Sequence, residues 1–392
     1  MALPDANVLG SGSWPRVGKL EMTWTSTHPN HPDNGRTYRP AVPATIAPLS
    51  YRPDPATATL LDEATHQMAR FDERHGRHAA TMLRAESIAS SRIEGIIAST
   101  EDVAAAELGI DTGLPAAAVV DDVNATEHSL GDADGFSSQT ILDSHRLLMA
   151  HADPRHPRGA WRTQAVWIGG HSPVGAHFVP PHATWIEEVL PDLDAYLRRI
   201  DQPALVHAAI AHAQFETIHP FTDGNGRTGR ALTQALFRRA GVTEHLAVPI
   251  SAGLTRHTDD YYRALTAYRH GDVEPILQVT AEAALTAVHH GHELVREIEQ
   301  ITADWAGRIS ARRDAAVWAV LDLLALHPVL TPGLLQDRLG LEPRRQARAM
   351  GPLEDAGIIT AHEQHRRDRS WRAHELLAAA DTYLLRAAQR FG

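Results

Sequence analysis

The most informative part of the sequence is the stretch Ile218-His219-Pro220-Phe221-Thr222-Asp223-Gly224-Asn225-Gly226-Arg227-Thr228-Gly229-Arg230. Pro220 predicts that an incoming helix ends near His219, because a residue before proline is disfavoured in the α region and pushed toward extended backbone. Asp-Gly and Asn-Gly dipeptides follow, and both are strong turn formers. The pattern of residues 229–239 then predicts another helix. The stretch therefore reads as helix, glycine-rich turn and helix.

The residue types in this stretch suit a polyphosphate. A glycine-rich turn that opens into a helix presents free N–H groups and the positive end of the helix dipole to an anion. Arg227 and Arg230 are three residues apart, so both guanidinium groups can reach one charged group. Asp223 is a suitable ligand for Mg²⁺, and His219 can accept a proton from an attacking hydroxyl. Phosphoryl or nucleotidyl transfer is therefore favoured over a plain capped turn with surface arginines.

The stretch meets every fixed position of the signature His-Pro-Phe-x-(Asp/Glu)-Gly-Asn-Gly-Arg-x-x-Arg, so the chain resembles the Fic-domain family over about residues 55–290. The resemblance implies an all-α domain that transfers AMP from ATP to a hydroxyl group of a protein target, or of the chain itself. It makes His219 the catalytic base and Asp223 the Mg²⁺ ligand. The residues that it implies for nucleotide binding are Asp223, Gly224, Asn225, Gly226, Arg227, Thr228, Gly229 and Arg230.

A second motif lies upstream. Residues 87–94 predict a helix with Gly95 as its C-terminal stop, and Ser90 and Glu94 are i, i+4 neighbours on it. Taken alone, this is an ordinary surface carboxylate. The segment also resembles the family's autoinhibitory motif (Ser/Thr)-x-x-x-Glu-(Gly/Asn), which implies that Glu94 pairs with Arg230 and competes with the ATP γ-phosphate.

Two further features are expected near the site. Val166-Trp167-Ile168 before Gly169-Gly170, and His177-Phe178-Val179 before two prolines, predict a β-hairpin. It is either an ordinary hairpin or, as the resemblance implies, a flap that binds target backbone by strand addition.

Tyr261 and Tyr262 cannot both face one side of a helix, so one of them is expected in the core. The resemblance places this pair near the adenine. Arg269 stands where some relatives have an asparagine, and this leaves the adenine contacts open.

The predicted organisation is an all-α protein with a short hairpin flap and a small C-terminal winged helix-turn-helix domain. Residues 1–50 predict an arm that is extended or partly disordered, 51–115 a helical region with the inhibitory helix, and 116–290 the catalytic domain. Residues 291–312 predict a connector helix, and 313–392 the winged helix. If the winged helix binds DNA, it would do so through basic side chains. Acidic residues interleaved with them favour protein contacts instead. The basic side chains are those of Arg344, Arg345, Arg348, Arg366, Arg367 and Arg369.

Composition sets the broad class. The 392 residues carry a net charge of −11, 43% hydrophobic residues and no cysteine, which excludes disulfides and thiolate metal sites. The absence of a long apolar run argues against a membrane span, and a cytoplasmic location is expected. A homodimer is a further expectation from the resemblance. The 25 histidines show no ligand-spaced pair except doublets such as His289-His290.

Other functions stay open at this point. The same site could remove AMP from a modified protein, with Glu94 positioning a water. The domain could instead sense a nucleotide within a DNA-binding regulator, or transfer a nucleotide other than AMP.

Overall fold

The structure is a computed structural model, and it describes residues 14–26, 28, 30–133, 137–312, 315–363 and 369–389. The chain divides into two compact units. The first contains Met1–Gln67, Asn124–Thr243 and His257–Glu282, and the second contains Met68–Val123, Glu244–Arg256 and Ala283–Gly392. Most of the described chain is helical, which confirms the expected class.

The helices are, in chain order, α1 (Pro55–His75), α2 (Ala79–Ile93), α3 (Thr100–Ala106), α4 (Leu114–Gly131), α5 (Ser138–Leu148), α6 (Ile186–Leu197), α7 (Ala204–Ile218), α8 (Asn225–Arg239), α9 (Ile250–Thr255), α10 (Thr258–Arg269), α11 (Glu274–Arg308), α12 (Ala316–Leu324), α13 (Pro332–Leu339), α14 (Pro343–Asp355) and α15 (His374–Ala388). The strands are β1 (Gly18–Lys19), β2 (Met22–Thr23), β3 (Thr37–Tyr38), β4 (Ala41–Val42), β5 (Val329–Leu330), β6 (Thr360–Glu363) and β7 (Arg369–Arg372). No helix in these ranges combines the length and apolar character that a membrane crossing requires.

The first unit is built around α7. Residues 205–218 of this helix are all buried, and α7 packs against α6, α8 and α10. A helix with small apolar side chains around its whole circumference lies inside a fold, with neighbours on every face. The prediction that a helix ends near His219 is confirmed, because the last residue of α7 directly precedes His219.

Residues 14–42 of the first unit contain two short antiparallel pairings rather than a single extended run. Strand β1 pairs with β4, with Gly18 opposite Val42, and β2 pairs with β3, with Met22 opposite Tyr38. The backbone N–H of Ala41 then donates to the carbonyl of Val179 at 2.9 Å, which joins this segment to the region of the expected flap.

The expected flap hairpin is reduced to a single antiparallel bridge between Ile168 and Phe178. The N–H of Ile168 donates to Phe178 O at 2.8 Å, and the N–H of His177 donates to Ile168 O at 2.9 Å. Gly169 and Gly170 follow with φ of 74° and 76°. A strand cannot continue through such backbone, so the pairing ends after one bridge.

The expectation of a separate connector helix over 291–312 is wrong at its start, because α11 is continuous from Glu274 to Arg308. Gly291 does not interrupt it. A Cβ at this position would lie 2.6 Å from Cζ of Phe71, so the glycine permits the close approach of an aromatic ring to the helix. The sequence alone does not distinguish this packing role from a helix stop.

In the second unit, α2 packs against α3, α9 and α15. Further along the chain, α12, α13 and α14 pack on one another, and a three-stranded antiparallel sheet has the order β5-β7-β6. Arg344, Arg345 and Arg348 of α14 are exposed. Of the loop arginines named above, Arg366 and Arg367 lie outside the described residues.

Candidate active site

His219 lies in a left-handed backbone conformation immediately after α7, with φ of 50° and ψ of 61°. Among the described residues it is the only one other than glycine with positive φ. The proline that follows predicted extended backbone, so this part of the expectation is wrong. Instead His219 ends the helix as a left-handed cap, with its N–H donating to Phe215 O at 2.8 Å. Such backbone costs about 1–2 kcal/mol and is concentrated at functional sites.

Arg162 holds this conformation in place. Its side chain is buried, and Nε donates to the carbonyl of His219 at 2.8 Å. The guanidinium also donates to carbonyls on either side of the flap, at Gln164 and Pro181. Burial lowers the pKa of Arg162 to about 10, so the group stays charged at neutral pH. Arg162 therefore joins the flap to the turn that carries His219, and sequence reasoning did not single it out.

Glu216 lies behind the His219 ring, one helical turn earlier. Its Oε2 is 3.5 Å from His219 Nδ1, and the carboxylate side chain is 8% exposed. Burial raises the pKa of Glu216, but His219 together with the nearby His212 and Arg230 outweighs this effect, and the pKa falls below its ordinary value. A carboxylate beside Nδ1 favours the proton on that nitrogen and leaves Nε2 as the acceptor. The i, i+3 spacing of the two residues is the only sequence signal for this pair.

The turn after His219 is held by Asn225. Its Oδ1 accepts from the N–H of Phe221 at 2.9 Å, and its Nδ2 donates to the carbonyl of Phe221 at 3.0 Å. We expected this amide to orient phosphates, whereas it bonds to backbone on both sides. Helix α8 accordingly begins at Asn225, four residues before the predicted start, with Gly224 before it at φ 77°.

His145 also holds the turn in place. Its Nδ1 accepts from the N–H of Gly159 at 3.0 Å, so Nε2 carries the proton and donates to the carbonyl of Asp223 at 3.0 Å. The ring stacks on Phe221 with centroids 3.6 Å apart. Burial lowers the pKa of His145 to about 4, which keeps it neutral. His145 is a second support that sequence reasoning missed.

The charged residues of the motif differ in their surroundings. Asp223 is exposed, and its Oδ1 accepts from the N–H of Gly224 at 2.8 Å. Arg227 and Arg230 are buried in the first turns of α8. Within the part of the chain that the structure describes, no acceptor bonds to the buried Nε of Arg227 or to Thr228 Oγ1. A phosphate oxygen bound at this helix would satisfy both donors.

Gly229 has a packing role, although we expected it at the nucleotide. A Cβ there would lie 2.9 Å from His212 Nδ1 and 3.0 Å from a ring carbon of Phe215, both on α7. The absence of a side chain lets α7 and α8 approach each other closely. This contact sets the distance between His219 at the end of one helix and the arginines on the other.

One tyrosine of the pair Tyr261 and Tyr262 is buried and the other is exposed, as expected. Tyr261 is buried, and its hydroxyl lies 2.7 Å from His212 Nε2, whereas Tyr262 is 47% exposed. Arg269, on the same helix, has its guanidinium carbon 3.7 Å from the centre of the Phe178 ring and donates to the carbonyl of Glu216 at 3.3 Å. Arg269 thus connects the flap with the residue behind His219.

Of the flap residues, Val166 and Trp167 are partly accessible, and Ile168 and Gly169 are exposed. Ser90, Glu94 and Gly95 belong to the second unit. Helix α2 ends at Ile93, and Gly95 follows with φ of 79°, which confirms the predicted helix stop. The expected residues at 219–230, at 261–262 and in the flap all belong to the first unit.

Comparisons with known proteins agree with this geometry. The sequence matches the Fic/DOC family over residues 135–237. A protein adenylyltransferase Fic from Nematostella vectensis is 31% identical over 205 residues, spanning 49% of this chain and 43% of the relative. Protein adenylyltransferase fic-1 from Caenorhabditis elegans is 34% identical over 149 residues, spanning 38% of this chain and 27% of the relative. The matched region thus covers less than half of the length of these curated relatives.

A crystal structure of a Fic family protein from Desulfovibrio desulfuricans G20 superimposes with a TM-score of 0.51 at 23% identity. The alignment covers 82% of this chain and 98% of that one. At this level of identity the likeness supports a shared fold. The family match, which spans residues 135–237, identifies that part of the chain as a Fic domain.

Proposed function

We propose that the chain is a protein adenylyltransferase, which transfers AMP from ATP to a Ser, Thr or Tyr hydroxyl of a target protein. The observation that carries the proposal is the arrangement around His219. This residue has a left-handed backbone, and Glu216 lies behind its ring. The helix that follows the turn has buried donors for which the described residues supply no acceptor. The relatives named above support the same reaction class.

The proposal assigns the following roles. Nε2 of His219 accepts the proton of the target hydroxyl, whose oxygen then bonds to the α-phosphorus of ATP. The bond from that phosphorus to the bridging oxygen breaks, and pyrophosphate leaves. Arg227, Arg230 and the N-terminus of α8 bind the phosphates and stabilise the charge of the leaving group.

Asp223 is the residue that fits a Mg²⁺ ion. Its carboxylate is exposed beside the phosphate-binding turn, and in the described chain the turn uses only Oδ1. A bound Mg²⁺ would neutralise charge on the polyphosphate, with phosphate oxygens and water as its other ligands.

Target recognition is assigned to the flap. Ile168, 39% exposed, and its neighbours would pair with the backbone of an extended target segment. The links from Arg162 and Arg269 to the flap would keep that segment in register with His219.

Labelling with ATP tests the proposal. The wild-type chain is incubated with cell lysate and ATP labelled at the α-phosphate, and separately with ATP labelled at the γ-phosphate. We expect protein-bound label only from the first, with a mass increase equal to AMP. Label from the γ-phosphate would indicate a kinase reaction, and a different added mass would indicate another nucleotide.

Glu94→Gly is expected to raise AMP transfer about ten- to a hundred-fold, because a carboxylate that competes with the ATP γ-phosphate for the motif arginine is removed. A hydrogen bond between charged groups contributes about 1.5–3 kcal/mol, and 1.4 kcal/mol is a factor of ten. The measurement is the initial rate of α-label incorporation. The double variant with His219→Ala is the control and should show no gain. Equal rates for Glu94→Gly and wild type would refute the inhibitory role, and faster release of AMP from a modified target by the wild type would favour the reverse reaction.

The C-terminal region supports a second candidate function. Three helices followed by two antiparallel strands are the arrangement of a winged helix, and the exposed face of α14 carries three arginines. We propose that this face binds nucleic-acid phosphates, in which case the Fic domain would act within a DNA-binding regulator.

If so, changing Arg344, Arg345 and Arg348 to Ala should weaken DNA binding and lower the slope of log affinity against log salt by about one per arginine. Fluorescence anisotropy with duplex DNA at several salt concentrations measures this. Arg70→Ala combined with Arg74→Ala, exposed positions on α1, is the control. Wild-type binding by the triple variant, or no binding by the wild type at low salt, would exclude this role.

A further inference from the structure

We propose that His289, His290 and Glu293 bind one divalent transition-metal ion at a site separate from the Fic motif. The three residues are on α11, in the part of that helix that belongs to the second unit. The proposed transfer reaction does not use these residues, so metal binding can be tested independently of the proposed function.

The geometry is close to that of a bound ion. Glu293 follows His289 by four residues and His290 by three, so its carboxylate lies beside both rings. Oε2 is 2.9 Å from His290 Nδ1, and Oε1 is 3.7 Å from His289 Nε2. The three ligand atoms lie within 4.8 Å of one another. Ligands about 2.0–2.1 Å from a tetrahedral ion are about 3.4 Å apart, which small side-chain rotations would reach here.

The ligand types also suit a transition metal. Two imidazoles with one carboxylate favour zinc-like ions over Mg²⁺ or Ca²⁺. The His290 side chain is 8% exposed, whereas that of His289 is 66% exposed, so one ligand is anchored in the fold and the other can adjust.

The site opens onto a cavity of about 660 Å³ between α11 and the end of α15. Arg296, Glu297 and Arg386 also line it, and Arg386 lies 3.6 Å from Glu297. Three protein ligands leave coordination positions open toward this space. The positive charges of the two arginines disfavour a metal ion with no anionic partner and favour one that also binds an anion. We therefore expect water or a small anion to complete the coordination of the metal.

The alternative is a helix-surface hydrogen bond between His290 and Glu293, which contributes only a few tenths of a kcal/mol and binds nothing. Metal binding by the full-length protein distinguishes the two. After treatment with a chelator, the chain is titrated with Co²⁺, followed by visible absorption, and with Zn²⁺, followed by calorimetry. We expect one ion per chain at this site and a higher unfolding temperature with metal.

Variants assign the site. His289→Ala removes an exposed side chain, so its fold is expected to be kept, and it should weaken Zn²⁺ binding at least about ten-fold and abolish the rise in unfolding temperature. Glu293→Gln should have the same effect. His66→Ala, an exposed histidine on α1, should bind like wild type. Wild-type affinity in both site variants, or no change of the Co²⁺ spectrum on mixing with the wild-type chain, would overturn the proposal.

Discussion

Replacing His219 with Ala or Asn is expected to reduce AMP transfer by about 10²- to 10⁴-fold, the usual contribution of a positioned general base. The imidazole is the base that the motif offers to the hydroxyl proton. The fold should be kept, since His219 lies at the end of a helix and its side chain is partly exposed. Incorporation of α-label from ATP measures the loss.

The Asn variant is the sharper of the two. The left-handed backbone at position 219 is tolerated by Asn and His better than by Ala, so Asn removes the base with the smaller cost in stability. We therefore expect thermal unfolding of His219→Asn close to wild type, together with unchanged ATP binding. Transfer within about ten-fold of wild type by this variant would exclude His219 as the base.

Glu216→Gln is expected to lower the rate constant for transfer on the order of 10²-fold while leaving the KM for ATP nearly unchanged. The carboxylate only accepts, and it therefore favours the proton on Nδ1 of His219. The amide of Gln can also donate, which permits the tautomer with the proton on Nε2, where it blocks catalysis. Glu216 is thus a positioning residue that acts through His219.

Steady-state kinetics with saturating target separate this role from a structural one. Loss of the fold would lower ATP binding and the unfolding temperature together with the rate, whereas mispositioning of His219 lowers the rate alone. Glu187→Gln, an exposed carboxylate on α6, serves as the control and should match wild type. A rise in KM for ATP with an unchanged rate constant would contradict the positioning role.

Several features could be predicted from the sequence because their causes are local. Pro220 ends α7, Gly95 ends α2, and the run of small apolar residues before His219 is typical of a buried helix. The consecutive Tyr261 and Tyr262 had to point in different directions on any helix. These signals act over a few residues, so a single sequence is sufficient to interpret them.

The roles of individual motif residues depended on contacts that the sequence does not display. Asn225 and Gly229 fitted a phosphate site by residue type. In the fold, the amide of Asn225 is used by the backbone of Phe221, and Gly229 accommodates α7. The unbroken α11 is a similar case, since only the position of Phe71 explains Gly291.

The sequence by itself determined the chemistry available to this protein: a base, an acid, two arginines and a glycine turn within thirteen residues. The tertiary structure decided how the base is held. Arg162, 57 residues before His219, donates to its carbonyl, and Glu216 lies behind its ring. The left-handed backbone at His219 is unfavourable in isolation, and it persists because a buried guanidinium group brought there by folding satisfies the carbonyl.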